Sequence, residues 1–167
     1  FSNHFSAVKD KIRVTAYPSV CFSNVGRSGV EQPLILGRGC ESFGTIAHEL
    51  GHALGLFHTM NRQDRDQHIK VRFDNTLQQF QNEFNIRNKG EIENYGTGYD
   101  YGSIMHYAQT NALSNGKPWM VPTDEKYGHT MGSEMISFSD FSIINEHYFC
   151  KATIALHNSK NYTQPMR

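Results

Sequence analysis

His48-Glu49-Leu50-Gly51-His52-Ala53-Leu54-Gly55-Leu56-Phe57-His58 sets three histidines, one glutamate and two glycines at fixed offsets. On a helix, His48 and His52 are four residues apart and therefore share a face, one turn from each other. Both imidazoles then reach a single metal ion. Glu49 lies one residue round the helix from His48, beside the metal without ligating it, where a general base for an activated water belongs. Gly55 accepts the left-handed backbone of a helix C-terminus, so the chain turns sharply and His58 comes back to the metal from outside the helix. Three imidazole ligands at about 2.0–2.1 Å, with a fourth position left open, describe a catalytic zinc site and not a structural one. A bare His-Glu-x-x-His arises on many amphipathic helices as two surface histidines. The further offsets of Gly55 and His58 make this stretch far more specific.

A second segment, Ser103-Ile104-Met105-His106-Tyr107, supplies the methionine turn that accompanies this motif in metzincins. The zinc stretch continues into Arg62-Gln63-Asp64-Arg65-Asp66. Together the two segments closely resemble the astacin family of secreted zinc endopeptidases. Cys21-Phe22-Ser23-Asn24-Val25-Gly26-Arg27, Gly39-Cys40, and the run from Ser137-Phe138-Ser139-Asp140-Phe141 to Phe149-Cys150 agree with it. The resemblance covers residues 8–150. Other metzincins, such as matrix- or venom-type proteases, share the histidines and the methionine; the Arg62–Asp66 run and Tyr107 separate astacins from them.

The resemblance implies an α+β fold, a metzincin-like two-lobed domain. The N-lobe would hold a twisted mixed sheet and the zinc helix, and the C-lobe would be irregular, with the Met-turn and a closing helix. It implies a secreted, extracellular zinc endopeptidase with one Zn2+ per chain held by His48, His52 and His58. Internal peptide bonds of protein or peptide substrates would be hydrolysed by a zinc-activated water, with Glu49 as general base. Tyr107 would swing from the metal to stabilise the oxyanion, and Met105 would lie beneath the metal as an apolar floor. The competing class is a catalytically silent zinc-binding or extracellular binding module that kept the fold; retention of Glu49 argues against it.

The resemblance also pairs Cys21 with Cys40, in a loop worth roughly 3 kcal/mol in the chain-entropy model. Cys150 is then left with two readings: a partner upstream of Phe1, in an N-terminally truncated catalytic domain spanning residues 1–150, or a free buried thiol. Where astacins usually carry a glutamate after the third histidine this chain has Thr59, which puts the anchoring of a mature N-terminus in doubt.

Composition is less informative. The 167 residues fit one domain with a real core. Lys plus Arg equals Asp plus Glu at 16 each, so nothing suggests capture of nucleic acid or of an anionic membrane. No apolar run approaches the roughly 20 residues of a membrane span. A monomer is expected, with modules downstream of Arg167 left open. Asn161-Tyr162-Thr163 is a glycosylation sequon compatible with secretion.

Periodicity predicts a strand over 11–17 ended by Pro18, and a short strand over 32–36 whose Pro33 suits a sheet edge. That edge would receive a substrate strand. A zinc helix is predicted over 42–54, capped by Ser42 or Thr45, with Ile46, Leu50, Ala53 and Leu54 as its buried stripe. A second helix is predicted over 74–84 and a closing helix over 139–149, with Ile143, Ile144 and Tyr148 inward. Residues 85–136 read as ordered loop and 151–167 as a polar tail or linker. Asp64, Arg65 and Asp66 read as an ion-pair and hydrogen-bond network. His106 carries no role of its own, and His4, His68, His129, His147 and His157 read as surface or capping residues. Trp119 reads as core or cleft wall.

Overall fold

A computed structural model describes residues 8–111 and 114–150. The tail 151–167, the sequon at Asn161, His4 and His157 lie outside the described residues. The architecture is α+β. Strands β1 (Ile12–Thr15), β2 (Cys21–Ser23) and β3 (Gln32–Leu36) form a sheet of order β1-β3-β2. β3 runs parallel to β1 and antiparallel to β2, so the sheet is mixed. Helix α1 (Phe43–Ala53) packs on β2 and β3. Strands β4 (Ile69–Val71) and β5 (Met120–Pro122) pair antiparallel in the C-terminal half, and helix α2 (Phe138–His147) closes it.

β3 matches its predicted span but is the central strand, not the edge. Gln32 N–H donates to Lys11 O at 2.9 Å, so the N–H that Pro33 lacks would point the other way, toward β2. The β2 ladder stops at Ser23↔Leu34, one residue short of Pro33, so no ladder bond is missed there. The free edge beside the site therefore belongs to β2.

The second predicted helix forms only 3-10 turns, Phe73–Asn75 and Gln78–Phe84. Thr76 breaks the run with an isolated bridge to Ser114. Of the apolar residues that suggested the helix, only Phe84 is buried, while Leu77 is 41% exposed. The β4–β5 pair gives no strong sequence signal, being three residues a side.

Ser42 caps α1, its side chain accepting from Thr45 N. The helix buries Gly44, Glu49, Gly51, His52 and Ala53. Of the predicted stripe only Ala53 is buried; Leu50 and Leu54 are about two-fifths exposed at 42% and 39%. The face that the sheet and the Met-turn cover is the histidine face, which carries few apolar side chains.

α2 starts from a capping box in which Ser137 and Asp140 satisfy each other's backbone. Ile143 and Ile144 pack against buried Leu56, Ile104 and Met105, whereas the Tyr148 side chain is exposed and its hydroxyl donates to Leu54 O at 3.2 Å. The main core gathers Met60, Ile69, Phe84, Tyr101, Trp119, Met120 and Met131. Cys21 and Cys40 form a disulfide with Cα atoms 5.8 Å apart, and Cys150 is outside any disulfide among the described residues.

Candidate metal centre

The end of α1 builds the site. Gly55 has φ +102°. Gly55 N–H donates to His52 O and Leu56 N–H to Gly51 O, the paired bonds of a Schellman cap. This cap reverses the chain so that His58 faces the helix it has just left. His48 Nε2 and His52 Nε2 each lie 3.1 Å from His58 Nε2. His48 Nδ1–H donates to Ile104 O at 2.8 Å and His52 Nδ1–H to Leu56 O at 2.7 Å. Carbonyls only accept, so these bonds keep the protons on Nδ1 and turn the Nε2 lone pairs to one point. Tetrahedral ligands at about 2.05 Å from a metal stand about 3.3 Å apart. Ring nitrogens 3.1 Å apart, two of them with their protons held on the far side of the ring, therefore suit a zinc ion between them. Burial lowers the pKa of His48, of His52 to about 4, and of His58 well below 6.5; the neighbouring imidazoles add to the effect at His52 and His58. All three are neutral, as ligands must be.

The Met-turn sits against this cluster because α1 has no side chain at Gly51. A Cβ there would stand 2.8 Å from Met105 Sδ. Met105 is buried, and its carbonyl accepts from Thr59 N–H at 3.0 Å. Buried Asp140 ties the turn to α2: its carboxylate accepts from Ser103 Oγ at 2.6 Å, Ile104 N at 3.0 Å and Ser137 N at 2.8 Å. The carbonyl that orients His48 thus belongs to a residue fixed by α2.

Glu49 is 6% exposed. Burial raises its pKa to about 7, with a hydrogen bond from the Ser23 backbone opposing the shift. The Tyr107 ring lies 4.3 Å from the His58 ring and stacks on buried Trp119 at 5.6 Å. Burial first, then the Glu83 and Glu49 carboxylates, push the Tyr107 phenol above its ordinary pKa, so it is a neutral hydrogen-bond donor. His48, Glu49, His52, His58 and Tyr107 line one open cleft, bounded on one side by Cys21–Ser23 of β2 and on the other by the segment 80–87.

All five residues singled out in the sequence meet here. The Arg62–Asp66 run is a bonding network: Arg62 pairs with Asp64 at 2.8 Å and Arg65 with Asp66 at 2.6 Å. The pairing with Arg62 holds the Asp64 carboxyl below its ordinary pKa. Buried Arg65 also donates to Met60 O and Phe84 O. His68 stacks on Tyr99, and His129 and His147 are exposed. Sequence reasoning missed Asp140 and Asn61. Asp140 carries a signal, since Ser137 three residues earlier spells a capping box. Asn61 carries none.

The family model described as Astacin, a peptidase family, matches residues 1–149. The chain belongs to the astacin family. Zinc metalloproteinase nas-31 of Caenorhabditis elegans is 50% identical over 131 residues, which is 78% of this chain and 21% of that protein. Zinc metalloproteinase nas-13 of the same organism is 41% identical over 146 residues, 84% of this chain and 32% of that protein. Among solved structures, high choriolytic enzyme 1, a hatching enzyme zinc-protease from the medaka fish Oryzias latipes, is similar with a TM-score of 0.76 and 35% identity, covering 84% of this chain and 69% of that one. The chain spans about a fifth to a third of the length of these curated relatives. In this astacin-family chain the cofactor is zinc, and the His48, His52 and His58 group suits one ion.

Proposed function

We propose that residues 1–150 form the catalytic domain of a secreted, extracellular zinc endopeptidase that hydrolyses internal peptide bonds of proteins. The observation that carries this reading is the convergence of three neutral imidazoles beside a buried carboxylate in a cleft open along a strand edge. His48, His52 and His58 would hold the ion. When bound, zinc supplies Lewis-acid polarisation and lowers the pKa of its water to about 7.

The chain's own residues do the rest. A substrate segment lies along the free edge of β2 and pairs with it through backbone bonds, which give affinity with little demand on sequence. Glu49 takes a proton from the attacking water and passes it to the leaving amine. The Tyr107 hydroxyl donates to the oxyanion that forms at the scissile carbonyl. The Cys21–Cys40 disulfide supports an oxidising, extracellular setting. No helix among the described residues is long and apolar enough to cross a membrane.

Cleavage of an unfolded protein substrate by the zinc-loaded chain tests the reading, with Glu49→Gln and a chelated sample alongside. Turnover should fall by about 10²–10⁴-fold in Glu49→Gln, the usual contribution of general-base catalysis, while zinc content stays at one per chain. Wild-type turnover in that variant would remove Glu49 from the chemistry.

A further inference from the structure

We propose that Glu83 is a specificity-determining residue, a carboxylate on an anchored segment of the cleft wall that selects a lysine or arginine side chain flanking the scissile bond. The proposal rests on the endopeptidase reading above. The cleft holds two carboxylates, Glu49 and Glu83, and one guanidinium, Arg87. Glu49 is engaged by the Ser23 backbone, and Arg87 is engaged twice: it pairs with Glu91 at 3.3 Å and lies 5.5 Å over the Phe57 ring. Glu83 is half-buried and makes no ion pair among the described residues. Its negative charge is near enough to Tyr107 to act on the phenol. The cleft wall facing β2 therefore presents a carboxylate that no salt bridge among the described residues neutralises.

The backbone around Glu83 is bolted in place, which separates it from a surface acid that happens to face a groove. Buried Asn61 donates through Nδ2 to Glu83 O at 2.6 Å and to Asn85 O at 3.0 Å, and its own carbonyl accepts from Arg87 N–H at 2.9 Å. Buried Arg65 donates to Phe84 O at 2.9 Å. The Phe84 ring, 1% exposed, meets Trp119 edge-to-face at 5.0 Å, and Trp119 stacks on Tyr107. The segment carrying Glu83 is thus fixed both to the loop after His58 and to the ring stack under Tyr107. A backbone so held keeps the Glu83 side chain rooted at one place in the cleft wall, so a cation bound there meets it at a defined distance from the scissile bond.

The test uses the full zinc-loaded chain and peptides identical except for Lys, Gln or Glu at each place flanking the scissile bond. At one place, kcat/KM should favour Lys over Gln by roughly fivefold, the upper range of a solvent-touching ion pair, with Glu poorest. The preference should shrink as salt is raised. Glu83→Gln should bring the Lys-to-Gln ratio to unity, and Glu83→Lys should invert the order toward Glu. Because each ratio is internal to one variant, loss of folded protein does not mimic the result. Binding gives a readout without turnover: Glu49→Gln should hold the Lys peptide more tightly than the Gln peptide, and Glu49→Gln/Glu83→Gln should not. Equal ratios in wild type and Glu83→Gln would overturn the role of Glu83 and leave the endopeptidase reading intact. No cleavage by folded, zinc-loaded chain would overturn that reading instead, and the binding comparison would still decide Glu83.

Discussion

His106 stands between Met105 and Tyr107, and nothing in its spacing gives it a role. In the structure it is 2% exposed. Tyr99 hydroxyl donates to its Nε2 at 2.8 Å, and its Nδ1–H donates to Tyr107 O at 2.8 Å. Both bonds are complete with the ring neutral. Burial lowers its pKa from 6.5 to about 4, against a smaller opposing effect of the Tyr107 carbonyl. In the unfolded chain the ring takes a proton near 6.5 and in the folded chain only near 4, so between those values the unfolded state binds more protons. Stability therefore falls as pH drops through that window. The Tm of the zinc-loaded chain should decline from pH 7 toward pH 5, and His106→Gln, though less stable at neutral pH, should decline less; parallel declines would assign the loss to other groups. This residue shows where legibility stops at the smallest scale. His48, Glu49, His52, Gly55 and His58 lie within eleven residues of one another, so their offsets disclose them, although the carbonyl that orients His48 is 56 residues away. Asn61 and Asp140 act on partners 22 and 37 residues away, as Asn61 to Glu83 O and Ser103 Oγ to Asp140 show; the Ser137 box marks Asp140 as a cap but not as the anchor of the Met-turn, and the neutrality of His106 follows from burial, which its spacing does not record.

Elements were legible where local chemistry alone decides them. Ser42 starts α1, Gly55 ends it, and the Ser137–Asp140 box starts α2; each is a side-chain or backbone device within four residues of the helix end. The failures were elements whose form depends on what they pack against. The 74–84 segment has the apolar spacing of a helix, but its backbone spends its bonds on Ser114, Asn61 and Arg65 instead. Pro33 suggested an edge because sequence does not reveal how far a neighbouring strand extends. β2 is therefore the element on which the cleft depends, and it is short, at three residues. What holds it is β3 on one side and the Cys21–Cys40 disulfide, which joins its first residue to a buried cysteine two residues before the α1 cap. Replacing both cysteines by alanine should cost roughly 3 kcal/mol for a loop of 19 residues' separation. That corresponds to a fall in Tm of about 6–12 °C for a chain of this size. If β2 guides the substrate, KM should rise more than kcat falls; an unchanged KM would detach the disulfide from substrate alignment.

At the scale of the molecule, the two halves meet at the histidine cluster. The N-terminal half supplies α1 with His48, Glu49 and His52, and the C-terminal half supplies the Met-turn, whose Ile104 carbonyl orients His48 and whose Met105 lies against Gly51. The α+β arrangement was legible through the resemblance that the zinc stretch, the Arg62–Asp66 run and Ser103–Tyr107 carry together; the eleven residues alone specify the helix, its end and the return of His58. The same arrangement makes the metal a structural tie as well as a reagent. The Nε2 atoms of His48 and His52 each lie 3.1 Å from that of His58, an arrangement held by the bonds to Ile104 O and Leu56 O and by burial. The ligand set is assembled only when α1, the Gly55 turn and the Met-turn are all folded, so zinc binds the native chain and not the unfolded one. Binding of that kind stabilises by about 4 kcal/mol when free ligand exceeds its dissociation constant a thousandfold. For this chain length that is about 8–16 °C in Tm. Chelation should therefore lower the Tm by about 10 °C, and stoichiometric zinc should restore it. Glu49→Gln, which leaves the three imidazoles in place, should show the same shift despite its loss of turnover, whereas His58→Ala should show much less. A Tm indifferent to chelation in a chain that had bound one zinc would mean that the unfolded chain holds the ion as tightly as the native one, and would remove zinc as a tie of the fold.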